Sequence, residues 1–421
     1  MSETSVVCPN GHAATYGEKL CITCHMQLNY MSLFGKATTE AAIENIGKIP
    51  LLDKRDVVLG IGGIGSKVAS SYFCLPSAAT KACYAIDVDE SFSTDSRLPY
   101  GYLIAGAGKG GTHGYTKVGE TMAQNDSRLV DEGRKMGLHL AEKCYTVFAL
   151  GGGTGSGVGP SLLSLISQWP SKQLVVASIP SSKEAPISKY NAFCALGRIF
   201  GWPRMPDALV LIDVDKISGY RAIDVSGNLQ NEFQVLARMV NMMVEMRVGE
   251  PLSKIGQASG TCHMAPALAL THDMEIFGSL ANVLDSALAR PLASIDYDTV
   301  TTCLTLVVGD PNVLTDAEKA FSKWSSRNFR SLKSAELLKL PKEGNATDTR
   351  RGVIDVAILM GGYDLEGHLE TVTNGFKDYG GFFSERTTEA VVYRPDELTK
   401  FESYFNNYVR RVKKLAKRRK S

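Results

Sequence analysis

From Arg55 onward the chain alternates between two kinds of hydrophobic segment. Short runs such as DVVLGI, ACYAIDV, YTVFAL, LVVASI and ALVLI are apolar at nearly every position and end in polar or glycine-rich stretches. Between them lie longer segments with apolar residues at helical spacing, as in the one that reads through Val68 and Phe73. Strands without alternation are covered on both faces, so this half predicts a parallel α/β sheet clothed by helices. The stretch 228–248 predicts one long helix, with Phe233, Leu236, Val240, Val244 and Val248 at helical intervals. Its methionines, Met239, Met242, Met243 and Met246, read as core packing rather than as a cofactor box.

Beyond this helix the pattern predicts apolar strands near 300–310 and 353–361 and a third in EAVVYRP. Helices are expected over 314–325 and 332–340, with a polar loop over 342–351. A final helix carries a stripe of Leu398, Phe401, Phe405, Tyr408, Val412 and Leu415 before a run of basic residues. At 421 residues the chain is long enough for two domains.

Composition narrows the setting. With 44% hydrophobic and 21% charged residues the chain reads as globular. No apolar run reaches the roughly 18 residues of a membrane span, and MSETSVVCPNGH lacks the apolar stretch of a signal peptide, so a cytoplasmic location is expected. Net charge is +2, yet Arg410 to Ser421 holds eight Lys or Arg and no acid. That tail is either the solvated end of a packed helix or a contact for an acidic partner, anionic lipid or nucleic acid.

Three of the nine cysteines fall within the first 24 residues. Cys8-x3-His12 and Cys21-x2-Cys24 form two ligand pairs on short turns, the tetrahedral donor set of a structural zinc site, with His25 as an alternative to His12. Four protein ligands leave no open position for catalysis, so docking or assembly is the expected role, and the metal would supply most of the segment's folding energy.

The chemistry of the parallel half lies in its glycine loops. Gly60-x-Gly62-x-x-Gly65, with Asp87 ending the next strand, fits a dinucleotide fingerprint by itself. A second loop, ALGGGTGSGVGPSL, places Gly151, Gly152, Gly153, Gly155 and Gly157 ahead of a helix expected to start near Pro160, with hydroxyl donors from Thr154 and Ser156. Bare amides at a helix N-terminus suit a phosphate chain. No GxxxxGK[ST] motif occurs, so backbone rather than a loop lysine would hold the phosphates. A third segment, IAGAGKGGTHG, offers Lys109 and Thr112 near a terminal phosphate.

GGGTGSG resembles the signature of the tubulin/FtsZ superfamily, and the flanking loops GIGGIGSK, AIDVDES, GAGKGG, PSSKEAPISKYNA and LIDVDKI follow in that family's order. The resemblance covers roughly residues 55–290 and extends loosely to about 394. It implies a parallel-sheet Rossmann-like GTPase domain, a central helix and a second α/β domain with a mixed sheet. It further implies GTP or GDP as ligand, with Mg2+ as its companion ion, and head-to-tail protofilaments in which the next subunit completes the active site. Carried over, Gly62, Gly63, Gly65, Gly108, Lys109, Gly110, Gly111 and 152–157 would approach the phosphates, and Glu184 the ribose. Asn231 would contact the base, with Asn228 as alternative, while Val214 stands where the family expects a guanine-reading asparagine.

The family's catalytic loop, which acts on the neighbour's nucleotide, should fall near 249–257. Glu250 is the acid there; a shifted register would bring in Asp273 or Glu275, and the third option is a weak or absent hydrolase. The expected boundaries are a zinc module over 1–30, a linker or helix over 31–54 and a GTP-binding domain over 55–227. The central helix follows over 228–248, the second domain over 249–395 and the basic helix and tail over 396–421. Two other functions remain: a noncatalytic nucleotide-binding scaffold or regulator of the same fold, and a Rossmann-type enzyme using NAD or ATP.

Overall fold

The computed structural model describes residues 5–7, 13–15, 56–76, 78–80, 82–89, 98, 100–108, 110–201, 205–224, 227–342, 352–383 and 391–417. The N-terminal strands β1 (Ser5–Val7) and β2 (Ala13–Thr15) pair antiparallel. The first large unit contains β3 (Asp56–Ile61), β4 (Cys83–Asp89), β5 (Tyr100–Gly108), β6 (Lys143–Ala149), β7 (Lys172–Ile179) and β8 (Ala208–Asp213). Neighbouring strands in this set pair in parallel, in the order β8-β7-β6-β3-β4-β5.

The continuous apolar runs explain this arrangement. In β3, Val57, Leu59 and Ile61 join one core cluster while Val58 joins the other, so both faces of the sheet are buried. The covering helices are α1 (Gly62–Phe73), α2 (Thr116–Asn125), α3 (Leu129–Lys135), α4 (Gly153–Ile166) and α5 (Pro186–Phe200). A short α6 (Val214–Ile217) follows β8 and leads to a two-residue ribbon of β9 (Ala222–Ile223) and β10 (Leu229–Gln230).

The helix expected over 228–248 is divided. Leu229 and Gln230 belong to the ribbon, and α7 runs from Glu232 to Glu245, started by a capping box in which Asn231 and Gln234 exchange side-chain and backbone hydrogen bonds. The catalytic loop expected over 249–257 is instead helix α8 (Gly249–Ser259), so only the turn Met246–Val248 separates two helices.

The second half adds β11 (His263–Asp273), β12 (Thr302–Gly309), β13 (Ser334–Pro341) and β14 (Val353–Gly361), with α9 (Met274–Phe277), α10 (Leu280–Leu288), α11 (Pro311–Leu314) and α12 (Ala317–Asn328). β14 lies antiparallel between β11 and β12, and β13 pairs in parallel with β12 at the edge. The result is a mixed sheet. It joins the parallel one through two residue pairs between β11 and β8, His263 with Leu209 and Met264 with Val210. The structure is thus an α/β arrangement of a mostly parallel sheet and a mixed sheet, linked into a single sheet of ten strands.

Two expectations in this half fail. Of residues 332–340, expected as a helix, 334–340 belong to β13: SAELLKL has good helix formers, but the free edge of β12 takes it as a ladder partner along the whole strand. EAVVYRP was expected as a strand, yet its described residues, 391–394, are irregular. There Val392 and Tyr393 are buried, and the Tyr393 amide donates to Tyr190 Oη at 3.3 Å.

The last helices, α13 (Leu365–His368), α14 (Glu370–Phe383) and α15 (Pro395–Lys417), complete the chain. α15 seats Phe405, Tyr408 and Val412 in the core, and Tyr408 stacks on Phe200 of α5 with ring centroids 4.1 Å apart. Phe193 of α5 likewise stacks on Phe376 of α14 at 3.9 Å.

At the first residue of β11 these layers meet in a buried polar chain. His263 Nε2 lies 3.0 Å from the Tyr363 carbonyl oxygen, which can only accept, so Nε2 carries the proton. Nδ1 then accepts from Tyr408 Oη at 2.8 Å, and that oxygen in turn accepts the Cys262 amide at 3.0 Å. Every position is filled by a neutral ring, and burial lowers the His263 pKa from 6.5 to about 4.

In the unfolded chain the ring takes up a proton near pH 6.5, whereas the folded protein resists until about 4. Stability contributed by neutral His263 is therefore complete above pH 6.5 and falls away toward pH 4, by roughly 3 kcal/mol in all. Melting temperatures measured across this interval should drop steadily with acidity, and His263→Gln should flatten that limb.

Candidate functional site

Parallel strands deliver their carboxyl ends to one edge of the sheet, and the glycine loops sit there. β3 and β6 are adjacent, so the helices that follow them, α1 and α4, begin side by side. A methyl group at Gly62 would lie 3.2 Å from the Gly155 amide nitrogen and 3.2 Å from Thr154 Cβ. Gly62 has φ +70°, open to glycine and costly for other residues. Neither helix has a side-chain cap or an acid in its first turn. Two sets of N-terminal amides and two positive dipole ends therefore converge on one place.

Helix α4 starts at Gly153, seven residues before the expected Pro160, and its glycines lie where its first turns pack closely on their neighbours. A Cβ on Gly153 would collide with the Thr112 hydroxyl, on Gly155 with the Ala149 carbonyl, and on Gly157 with the Thr116 carbonyl. Gly65 faces the Val147 carbonyl in the same way. By contrast, Gly63, Gly108 and Gly152 have open space where a side chain would stand. The glycines thus divide into those that let backbone pack on backbone and those that keep a face clear.

Pro160 lies inside α4 and has no N–H for the Ser156 carbonyl. Arg198 of α5 supplies donors instead: its guanidinium lies 3.5 Å from Ser156 O, 3.1 Å from Gly157 O and 2.7 Å from Ser161 Oγ, and it pairs with Glu120 at 3.3 Å. Ser156 itself is fully buried and spends its hydroxyl on the Gly152 carbonyl, so it faces inward.

The remaining candidates surround this centre. Asp87 is buried, accepts the Val88 amide at 2.7 Å and hydrogen-bonds the Thr154 side chain; burial raises its pKa. Gly110 and Gly111 both take positive φ in the turn after β5, the latter against Asp89. Asn191 holds the loops together, donating to Gly114 O at 2.7 Å and Gly151 O at 2.9 Å while accepting the Thr116 amide. The spacing from Glu184 to Tyr190-Asn191-Ala192 in PSSKEAPISKYNA marks this residue, but its part in joining the loops is visible only in the structure.

Glu184 accepts the Ser181 amide at 2.9 Å, and its other oxygen lies beside Gly151, at the rim of the glycine cluster. Asp215, just past Val214, accepts the Ser182 amide and hydroxyl at 2.9 and 2.8 Å and also the Ser181 hydroxyl, which leads the causes that lower its pKa. Asn231 is exposed and serves as the helix cap, while Asn228 bonds Asp224. Lys109 lies outside the described residues, as do the zinc candidates Cys8, His12, Cys21, Cys24 and His25. Among the described residues there is no cluster of three or more His, Cys, Asp or Glu able to hold a metal.

The acids expected in catalysis separate cleanly. Glu250 is exposed in the first turn of α8, where Gly249 packs on the side chain of Lys143. Lys143 and Lys172, the first residues of β6 and β7, also act on its carboxylate, so it stands at the amino-terminal edge of the sheet. Lys254, 3.1 Å away, lowers its pKa by a direct hydrogen bond. Asp273 closes β11 and Glu275 lies in the α9 turn that follows it, beside the ribbon that follows β8, so both lie at the edge shared with the glycine loops.

A solved structure of CetZ2 from Haloferax volcanii, described as a GTPγS-bound protofilament, superposes with a TM-score of 0.61 at 20% identity, covering 77% of this chain and 99% of that one. The GDP-bound CetZ1 monomer of the same organism gives 0.63 at 17% identity, with the same coverage. The chain has the tubulin/FtsZ-like fold. In sequence, the tubulin-like protein CetZ2 of Haloferax volcanii is 25% identical over 221 residues, 48% of this chain and 57% of that relative, so the aligned region spans little more than half of it. No protein-family model matches. Among the described residues no helix is long and apolar enough to cross a membrane.

The two classes of glycine at this edge of the sheet predict different outcomes. Gly153→Ala should cost about 1–3 kcal/mol through overpacking, seen as a lower urea midpoint. Gly152→Ala, which meets open space, should stay within about 1 kcal/mol of the parent.

Proposed function

We propose that the chain binds guanine nucleotide at the convergent N-termini of α1 and α4 and assembles head to tail. In that arrangement the α8 edge of one subunit meets the nucleotide of the next. The observation that carries this reading is the opposed placement of two features. The uncapped amides lie at the carboxyl edge of the sheet, and Glu250 lies at the amino edge. A single subunit cannot bring the two together, whereas a polar stack does so at every joint.

Within the cradle, Gly62, Gly63, Gly65, Gly108, Gly110 and Gly111, together with 152–157, would surround the phosphates. Glu184 would face the sugar, and Asn231 or Asn228 the base. The cradle fits an anion with little adjustment, since the first turns of both helices lack acids and side-chain caps. Asp87 is turned toward Thr154 and its own backbone, which speaks against the ribose contact that an NAD-binding Rossmann enzyme would need. The relatives named above are described with GTPγS in a protofilament and with GDP in a monomer, which supports this reading by analogy.

Glu250 would orient water against the neighbour's terminal phosphate; with its basicity reduced by Lys254, orientation rather than proton abstraction is its part. Purified protein mixed with GTP or a slowly hydrolysed analogue should sediment as polymer and release phosphate only with GTP. Glu250→Gln should leave nucleotide affinity unchanged and slow phosphate release at least about tenfold. Polymer without phosphate release would favour the noncatalytic scaffold, and tight NAD binding without GTP binding would overturn the proposal.

A further inference from the structure

The turn between α7 and α8 holds a residue of unusual conformation. Arg247 has φ +51°, one of three non-glycine residues with positive φ among those described. Its neighbours close a Schellman motif: the Arg247 amide donates to Val244 O and the Val248 amide to Met243 O, both at 3.1 Å. Glycine is the residue this position favours, because a Cβ is disfavoured in the left-handed region. The chain instead keeps a long cation there. The Arg247 side chain is exposed, and among the described residues no hydrogen bond or ion pair holds its guanidinium; its charge acts on Asp56 only at longer range.

Its location suggests what the cation is for. Arg247 is three residues before Glu250, and its charge acts on Asp56, the first residue of β3. It therefore belongs to the amino-terminal edge, which in a head-to-tail stack meets the next subunit's nucleotide. We propose that Arg247 is a catalytic residue supplied in trans, placing its guanidinium against the terminal phosphate held by the adjacent subunit. This rests on the head-to-tail reading above.

The chemistry needs such a group. The oxygen of water bonds to the γ-phosphorus as the bond from that phosphorus to the β–γ bridging oxygen breaks. The bridging oxygen leaves on GDP with the electron pair; one water proton stays with the new phosphate and the other is released to solvent, while Glu250 holds the water in line. Negative charge spreads over the phosphoryl oxygens during this exchange, and a planar guanidinium with forked donors is suited to offset it. Lys143 cannot serve, being buried and engaged with Asp56 and Glu142.

Arg247→Gly gives a clear test, because the substitution suits the backbone and removes only the cation. The variant should melt at or above the parent temperature, bind and sediment with a slowly hydrolysed GTP analogue as the parent does, and release phosphate at least about 100-fold more slowly per assembled subunit. Parent-like phosphate release overturns the role, as does failure of the variant to sediment with the analogue, which would make Arg247 an assembly contact. A parent chain that binds and sediments yet releases no phosphate also overturns it while leaving the assembly intact. A parent chain that neither binds nor sediments removes the assembly, and the role of Arg247 with it.

Discussion

The direction of the strands is the constraint on which the rest depends. Six strands run in parallel: β3, β4, β6, β7 and β8 are apolar and buried on both faces, and β5 closes the edge beside β4. Every loop after a strand then gathers at one edge and every loop before a strand at the other. The molecule acquires two unlike ends, one rich in glycine and helix N-termini, the other bearing Lys143, Lys172, Arg247 and Glu250. Asymmetry of this kind is what a head-to-tail contact requires, since a heterologous interface joins different surfaces.

The glycine-rich loop is shaped by packing. Gly153, Gly155 and Gly157 are small because Thr112, Ala149 and Thr116 press on them, which fixes α4 against β6 and α2. Arg198 then covers the carbonyl that Pro160 leaves unpaired, and its further bond to Tyr393 Oη at 3.3 Å ties this helix to the segment entering α15. A preorganised cradle follows, since amides held this firmly need little rearrangement to meet an anion.

Much of this was legible in the sequence, and the failures have identifiable causes. Unbroken apolar runs marked the parallel strands, and the glycine loops marked the edge where they end. Residues 332–340 deceived because helix propensity is local while the open edge of β12 is a tertiary partner. The 228–248 segment deceived because apolar spacing continues across a tight Schellman turn, and no glycine announces it. The position of Asn191 was marked by its spacing from Glu184, but its clamping role was not: a single amide bridges loops some 40 and 77 residues away, and local spacing does not record such contacts.

The edge that carries the cradle is also where the two sheets are fastened. Asp213, the last residue of β8, accepts His368 Nε2 at 2.7 Å and the Ser294 amide at 2.8 Å, and His368 Nδ1 meets Tyr363 Oη at 3.0 Å. Two residues on, Asp215 grips the Ser181–Ser182 turn that positions Glu184. Val214 sits between these anchors. With acids on either side committed to holding loops, the backbone there is fixed by the mixed sheet as well as by the parallel one. Any shift of β14 and α13 relative to β8 must strain the Asp213–His368 bond, so the geometry of the cradle's rim and that of the second half are mechanically joined.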